Sequence, residues 1–160
     1  MQEFLENFAK IANELRYRNE QPEYELSIDK IAYDDSKSFE ENLKVYFIKL
    51  SENYLDYLKT KQTEFNKSHY ANWKFKMDSS NDYLSAIYRF FNFTNLPKTE
   101  FDYWLNDFIT RFENAYGKIQ KVLSGYIVPP YQFNIYCQHW QHLYIKTEQC
   151  HILITFEANT

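Results

Sequence analysis

Residues 99–124 carry the longest apolar stripe in the sequence and constrain the fold more strongly than any other segment. The stripe recurs at steps of three and four residues, the spacing that places side chains on one face of an α-helix. Its members are Phe101, Trp104, Leu105, Phe108, Phe112, Ala115, Tyr116, Ile119, Val122 and Leu123. Thr99 and Asp102 resemble a variant capping box, and Gly125 stands where a helix C-cap is expected. The pattern predicts one central core helix, in which Gly117 marks either a bend or the close approach of another backbone.

Three further helices are predicted upstream of this stripe. The first covers residues 2–18 and presents one apolar face, formed by Phe4, Leu5, Phe8, Ile11, Ala12 and Leu15. The second begins near Ser38, where Glu41 completes a capping box, and continues to about residue 66. The third begins near Ser80.

Strand periodicity appears in three other segments. Apolar and polar residues alternate over residues 24–28, inside the acidic stretch of residues 20–41, which predicts a short edge strand. The same alternation occurs over residues 69–78 and again over residues 131–138. We therefore expect strands both before and after the central helix.

The C-terminal residues predict a hairpin with a defined register. A two-residue turn at residues 148–149 places Ile145 opposite Ile152 and Leu143 opposite Ile154. A slip of one residue would mix the apolar and polar faces, so the hydrophobic pattern fixes the pairing.

The expected architecture is a single globular α+β domain over residues 1–160. About four helices are expected to pack on one face of a C-terminal antiparallel meander, a curved sheet. The N-terminus lacks the basic and apolar regions of a signal peptide, and no stretch approaches about 18 apolar residues. We therefore expect a cytoplasmic protein that does not enter a membrane.

Composition excludes several kinds of site. The chain has only 2 glycines in 160 residues, which excludes a glycine-rich phosphate loop or a dinucleotide fingerprint. The net charge is -4, and only 4 of the 18 cations are arginine. Both properties argue against binding to nucleic acid, because arginine and positive charge dominate phosphate recognition.

Metal ligation and nucleophilic catalysis are also disfavoured. Thiols and imidazoles, the usual donors to zinc, cluster near the C-terminus as Cys137, His139, His142, Cys150 and His151. Their spacing matches no recognised zinc pattern, and the hairpin separates His142 from His151 by about 13 Å. We expect buried thiols, exposed imidazoles, no metal, no cofactor and no catalytic residue, so the chain is not predicted to be an enzyme.

Acidic and aromatic residues provide the remaining functional signal. Residues 1–41 contain 11 of the 22 carboxylates but only 5 of the 18 cations, and aromatics make up 20% of the chain. An ordinary solvated surface is one interpretation, and a face for a basic partner is the other. The candidate contacts are Glu20, Glu23, Glu25, Asp29, Asp34 and Asp35, with Tyr136, Trp140 and Tyr144 as aromatic anchors on an outward strand face.

The leading hypothesis is a small acidic protein that binds another protein. In its most concrete form it is an immunity protein or antitoxin that covers the active site of a cationic toxin, such as a nuclease. A secretion chaperone that holds a basic effector is a close alternative. A small-molecule-binding protein with a cone-shaped α+β pocket is the alternative from another class, and it requires a closed apolar cavity.

Overall fold

Four helices and five strands form the part of the chain that the structure, a computed structural model, describes: residues 1–15, 23–59, 74–128 and 139–159. The helices are α1 (Gln2–Glu14), α2 (Phe39–Lys59), α3 (Tyr83–Phe91) and α4 (Lys98–Tyr116). The strands are β1 (Glu23–Ile31), β2 (Lys74–Ser80), β3 (Ile119–Val128), β4 (His139–Thr147) and β5 (His151–Asn159). They form one antiparallel sheet in the order β1-β5-β4-β3-β2. The predicted α+β class is confirmed.

The β4–β5 hairpin has the predicted register. Ile145 lies opposite Ile152, as the apolar pattern requires. The two-residue turn contains no glycine, but Thr147 Oγ1 accepts hydrogen bonds from the amides of Gln149 and Cys150 at 3.2 and 3.1 Å. This side-chain cap stabilises a turn that its own two residues do not favour.

The predicted central helix over residues 99–124 is wrong beyond Tyr116. α4 ends at Tyr116, and Gly117 follows with a φ of +86°, a left-handed conformation that breaks the helix. The Gly117 amide still donates to the Glu113 carbonyl at 2.9 Å. The Glu113 carboxylate then accepts a hydrogen bond from the Ile119 amide at 3.2 Å, where β3 begins. Ile119 and Val122 continue the helical stripe at a step of three because a β-bulge at the start of β3 returns both to the same face of the sheet.

The predicted caps of that helix are wrong as well. Pro97 occupies the N-cap position without a side-chain cap bond, so Thr99 and Asp102 do not form a capping box. Gly125 lies within β3 and has a φ of +154°. A Cβ atom at this position would lie 2.0 Å from the Lys76 carbonyl oxygen. Gly125 therefore permits the close approach of β2 and does not end a helix.

The sheet is covered on both faces, so the prediction that all helices lie on one face does not hold for α2. Successive residues of the inner strands alternate between two apolar cores. The first core contains side chains of α1, α3 and α4 and the strand residues Val122, Leu143, Ile145, Ile152 and Ile154. The second contains Leu43 and Phe47 of α2 and the strand residues Leu123, Tyr144 and Leu153. Strands that are apolar on both faces require a layer on each side.

The other predicted elements are found where the structure describes them. α1, α2, α3, β1 and β2 match their predicted types, and β1 is an edge strand. The capping box of α2 is confirmed, because the Ser38 amide donates to Glu41 Oε2 at 2.8 Å and the Glu41 amide donates to Ser38 Oγ at 3.2 Å. Three predicted segments lie outside the described residues: the C-terminal parts of two helices, at residues 16–18 and 60–66, and the strand over residues 131–138.

Gly125→Ala is expected to destabilise the protein by about 2 kcal/mol or more, because the new methyl group meets the Lys76 backbone in a strained conformation. Gly117→Ala is the comparison, since its Cβ would meet the flexible Gln149 side chain at 3.0 Å. Gly117→Ala should lose less stability than Gly125→Ala, although the φ of Gly117 is also unfavourable for alanine. Urea unfolding of both variants measures the difference, and equal losses would contradict the close contact between β2 and β3.

Candidate functional site

Two side-chain amides of α1 close the outer edge of β1. Gln2 donates to the Leu26 carbonyl at 3.1 Å and accepts from the Ile28 amide at 3.0 Å. Asn13 donates to the Tyr24 carbonyl at 3.0 Å and accepts from the amide of the same residue at 2.8 Å. The two side chains take the place of a neighbouring strand, and they fix the position of α1 beside β1.

A groove of about 660 Å³ lies between α1 and β1, and we call it the acidic groove. Its charged lining consists of Glu6, Glu14, Glu23, Glu25, Glu157 and Lys10. Ala9 and Leu26 add apolar surface to the same lining. A concave surface with five carboxylates and one ammonium group concentrates negative potential, which raises the local concentration of cations.

The acidic groove combines predicted contacts with residues that the sequence analysis did not single out. The predicted contacts Glu23 and Glu25 both line the groove, and Glu20 lies outside the described residues. Glu6 and Glu14 join them from α1. The sequence contains a signal for this contribution of α1 to the groove, because polar residues recur at helical spacing on one face of the helix: Gln2, Glu6, Lys10, Asn13 and Glu14.

Asp29 and Asp34 are held by local partners outside the acidic groove. The Tyr46 hydroxyl donates a hydrogen bond to Asp29, and burial, reinforced by this carboxylate, raises the pKa of Tyr46. Asp34 accepts hydrogen bonds from the Ser36 amide and hydroxyl at 3.0 and 2.6 Å and pairs with Lys37 at 3.2 Å. These partners lower the pKa of Asp34 to about 2. Asp34 therefore organises the loop before α2, and Lys37 offsets its charge.

Of the aromatic anchors, the structure describes Tyr144, which is buried, and Trp140, which is half-buried. Tyr144 is 2% exposed and packs edge-on against Phe39 of α2, so its prediction as a surface anchor is wrong. The reason is that α2 covers this face of the sheet. Trp140 is half-buried, and its indole N–H donates to the Ile127 carbonyl at 3.0 Å. Tyr136 lies outside the described residues.

His142 and His151 are buried, which corrects the expectation of exposed imidazoles at these two positions, whereas His139 is exposed as expected. The β3–β4 pairing extends as far as His142, and there the imidazole Nδ1 accepts a hydrogen bond from the Ile127 amide at 3.2 Å. Nδ1 is therefore unprotonated, and the neutral ring carries its proton on Nε2. Burial lowers the pKa of His142 to about 3. This histidine thus has a structural role as a neutral acceptor for β3.

A second groove, of about 480 Å³, lies between the β1–α2 loop and the β4–β5 turn. His151, Lys146 and the predicted contact Asp35 line it. The His151 ring stacks on Tyr33 with a centroid separation of 3.6 Å, and its Nδ1 is hydrogen-bonded to the Tyr144 hydroxyl. Burial and then Lys146 lower the pKa of His151, while Asp35 opposes them. Charges of both signs face this groove, so it favours neither a cation nor an anion.

Cys150 is buried, as predicted, and its Sγ lies 3.6 Å from Thr147 Oγ1. Cys137 lies outside the described residues. Within the described ranges, no group of three or more His, Cys, Asp and Glu side chains could hold a metal ion.

Comparison of the chain with protein-family models, with curated proteins and with solved structures finds no match in any of the three. In the part of the chain that the structure describes, no helix is both long and apolar enough to cross a lipid bilayer.

The buried His142 is expected to make the free energy of unfolding fall as the pH decreases from about 6.5, the ordinary pKa of histidine, towards 3. In this range the unfolded chain binds a proton that the folded chain does not, so stability rises with pH by up to about 1.4 kcal/mol per pH unit. Denaturant unfolding of the wild type and of His142→Asn at several pH values measures this contribution. The variant should lack that part of the slope, whereas identical slopes would contradict a neutral buried imidazole.

Proposed function

We propose that this chain is a protein-binding protein whose acidic groove receives a basic segment of its partner. The observation that carries the proposal is the lining of the groove, in which five carboxylates face one lysine. Opposite charge accelerates the encounter of two proteins, and apolar surface within the contact then slows dissociation. Ala9 and Leu26 supply such surface in the groove.

The backbone around the groove supports binding without a large rearrangement. Gln2 and Asn13 fix α1 against β1 through four hydrogen bonds to the strand. Because both walls are part of regular structure, a partner does not have to order them on binding, which lowers the entropic cost of association.

In its most concrete form, the proposal is an immunity protein or antitoxin that covers the active site of a cationic toxin. A nuclease is the favoured type of toxin, because its active site is built to attract phosphate groups and would also attract a cluster of carboxylates. The negative net charge of -4 is consistent with such a role.

The alternatives have less support from the described residues. A small-molecule pocket requires a closed apolar cavity, whereas both grooves described above are open and are lined by charged side chains. A secretion chaperone could use the same acidic groove, but it would bind an unfolded segment of its effector. If the partner is a folded toxin domain, the immunity protein is favoured over the chaperone.

The decisive experiment uses the protein encoded next to this chain in its genome. If that neighbour is a toxin, this chain should bind it tightly and inhibit it. Glu14→Gln/Glu23→Gln removes two of the five carboxylates from the groove and should weaken binding about tenfold or more, with a smaller dependence of the affinity on salt. Calorimetry at two ionic strengths measures the effect.

Glu40→Gln/Glu52→Gln is the matched control, because it removes two exposed carboxylates from α2, on the other face of the sheet. It should change the affinity less than about twofold. Equal weakening by both double variants would refute the groove as the binding site. A neighbouring gene that encodes no toxin would remove the immunity hypothesis.

A further inference from the structure

The two edges of the sheet differ in how they are covered. The outer edge of β1 is closed by the amides of Gln2 and Asn13. Along the outer edge of β2, no strand and no side-chain amide from the described residues is paired. An uncovered edge presents unpaired N–H and C=O groups, which can pair with another strand.

The sequence of β2 is complementary to itself when two copies run antiparallel. If the pairing is centred on Met77, Lys76 of one copy stands opposite Asp78 of the other, and the same pair forms again on the far side of the centre. Lys74 then stands opposite Ser80, so no like charges face each other. Residues directly opposite in an antiparallel pair point to the same face of the sheet, about 5 Å apart, within reach of an ion pair.

Among the described residues of one copy, these two charges have no competing ionic partners. Lys76 and Asp78 are exposed, and neither forms an ion pair with any described residue. Their neighbours on β3 are Tyr126 and Ser124, which carry no charge. The two side chains can therefore pair across the edge without breaking an ion pair within the described part of the chain.

We propose that β2 is the interface between two copies of this chain, which join edge to edge so that the described strands of both copies form one continuous sheet. The two-fold axis runs through the Met77 pair, perpendicular to the sheet, so the same surface serves both copies. Lysine on an edge strand often prevents such pairing. Here Lys76 of each copy meets Asp78 of the other, and Lys74 stands opposite the uncharged Ser80, so the charges favour this one register.

This interface is independent of the proposed function. β2 and β1 are opposite edges of the sheet, so the acidic grooves of the two copies lie at the two outer ends of the dimer. Loss of partner binding and loss of dimerisation are therefore separable by mutation.

The test is a charge exchange at the edge, measured by sedimentation equilibrium. The wild type should dimerise, and Lys76→Asp or Asp78→Lys alone should weaken the dimer about tenfold or more, because like charges then face each other twice. Mixing the two single variants should restore a dimer, since one variant then presents carboxylates at both positions and the other presents ammonium groups at both. The double variant K76D/D78K should also dimerise with itself, because each pair keeps its opposite charges.

Lys49→Asp and Glu52→Lys on the exposed face of α2 are the matched controls, because they change the net charge by the same amounts. They should leave the dimer unchanged. Concentration-dependent protection of the β2 amides from hydrogen exchange in the wild type tests the same edge without any substitution. A monomer up to millimolar concentration, a dimer that the single variants leave intact, or single variants that fail to pair on mixing would each overturn the proposal.

Discussion

Burial of the inner strands on both faces is the constraint on which the rest of this structure depends. Tyr144 and Ile145 are neighbours in β4 and face opposite sides of the sheet, yet both are buried. Leu153 and Ile154 repeat this arrangement in β5. One layer of helices cannot cover such strands, so α2 has to lie opposite α1, α3 and α4. The loop organised by Asp34 leads the chain from β1 to that second layer.

Local patterns predicted the parts of the fold that local interactions determine. The hairpin register follows from two-residue alternation, and the start of α2 follows from the Ser38–Glu41 capping box. The boundary at Gly117 was missed because the step of three between Ile119 and Val122 continues the helical stripe, whereas in the strand a β-bulge places both on one face of the sheet. The left-handed backbone of Gly117 ends the helix. The second helical layer was missed because the hairpin prediction assigned one apolar and one polar face to each strand, although a continuous apolar run indicates burial on both faces.

The candidate site was predictable only in part, for a related reason. Glu23 and Glu25 stand together in the sequence and were identified as contacts. Glu6 and Glu14 reach the same groove only because α1 docks along β1. In the same way, Tyr144 is excluded from the surface by a helix distant in sequence. Exposure depends on tertiary packing, and periodicity alone gives only the side of the element on which a residue lies.

The amides of Gln2 and Asn13 have a consequence for assembly. An open sheet with two unprotected edges can add copies at both ends, and the result is a filament without a defined length. Here one end is stopped by side chains of the same molecule. In the proposed dimer, β2 of each copy pairs with β2 of the other, so the assembly ends at two copies instead of extending into a fibre.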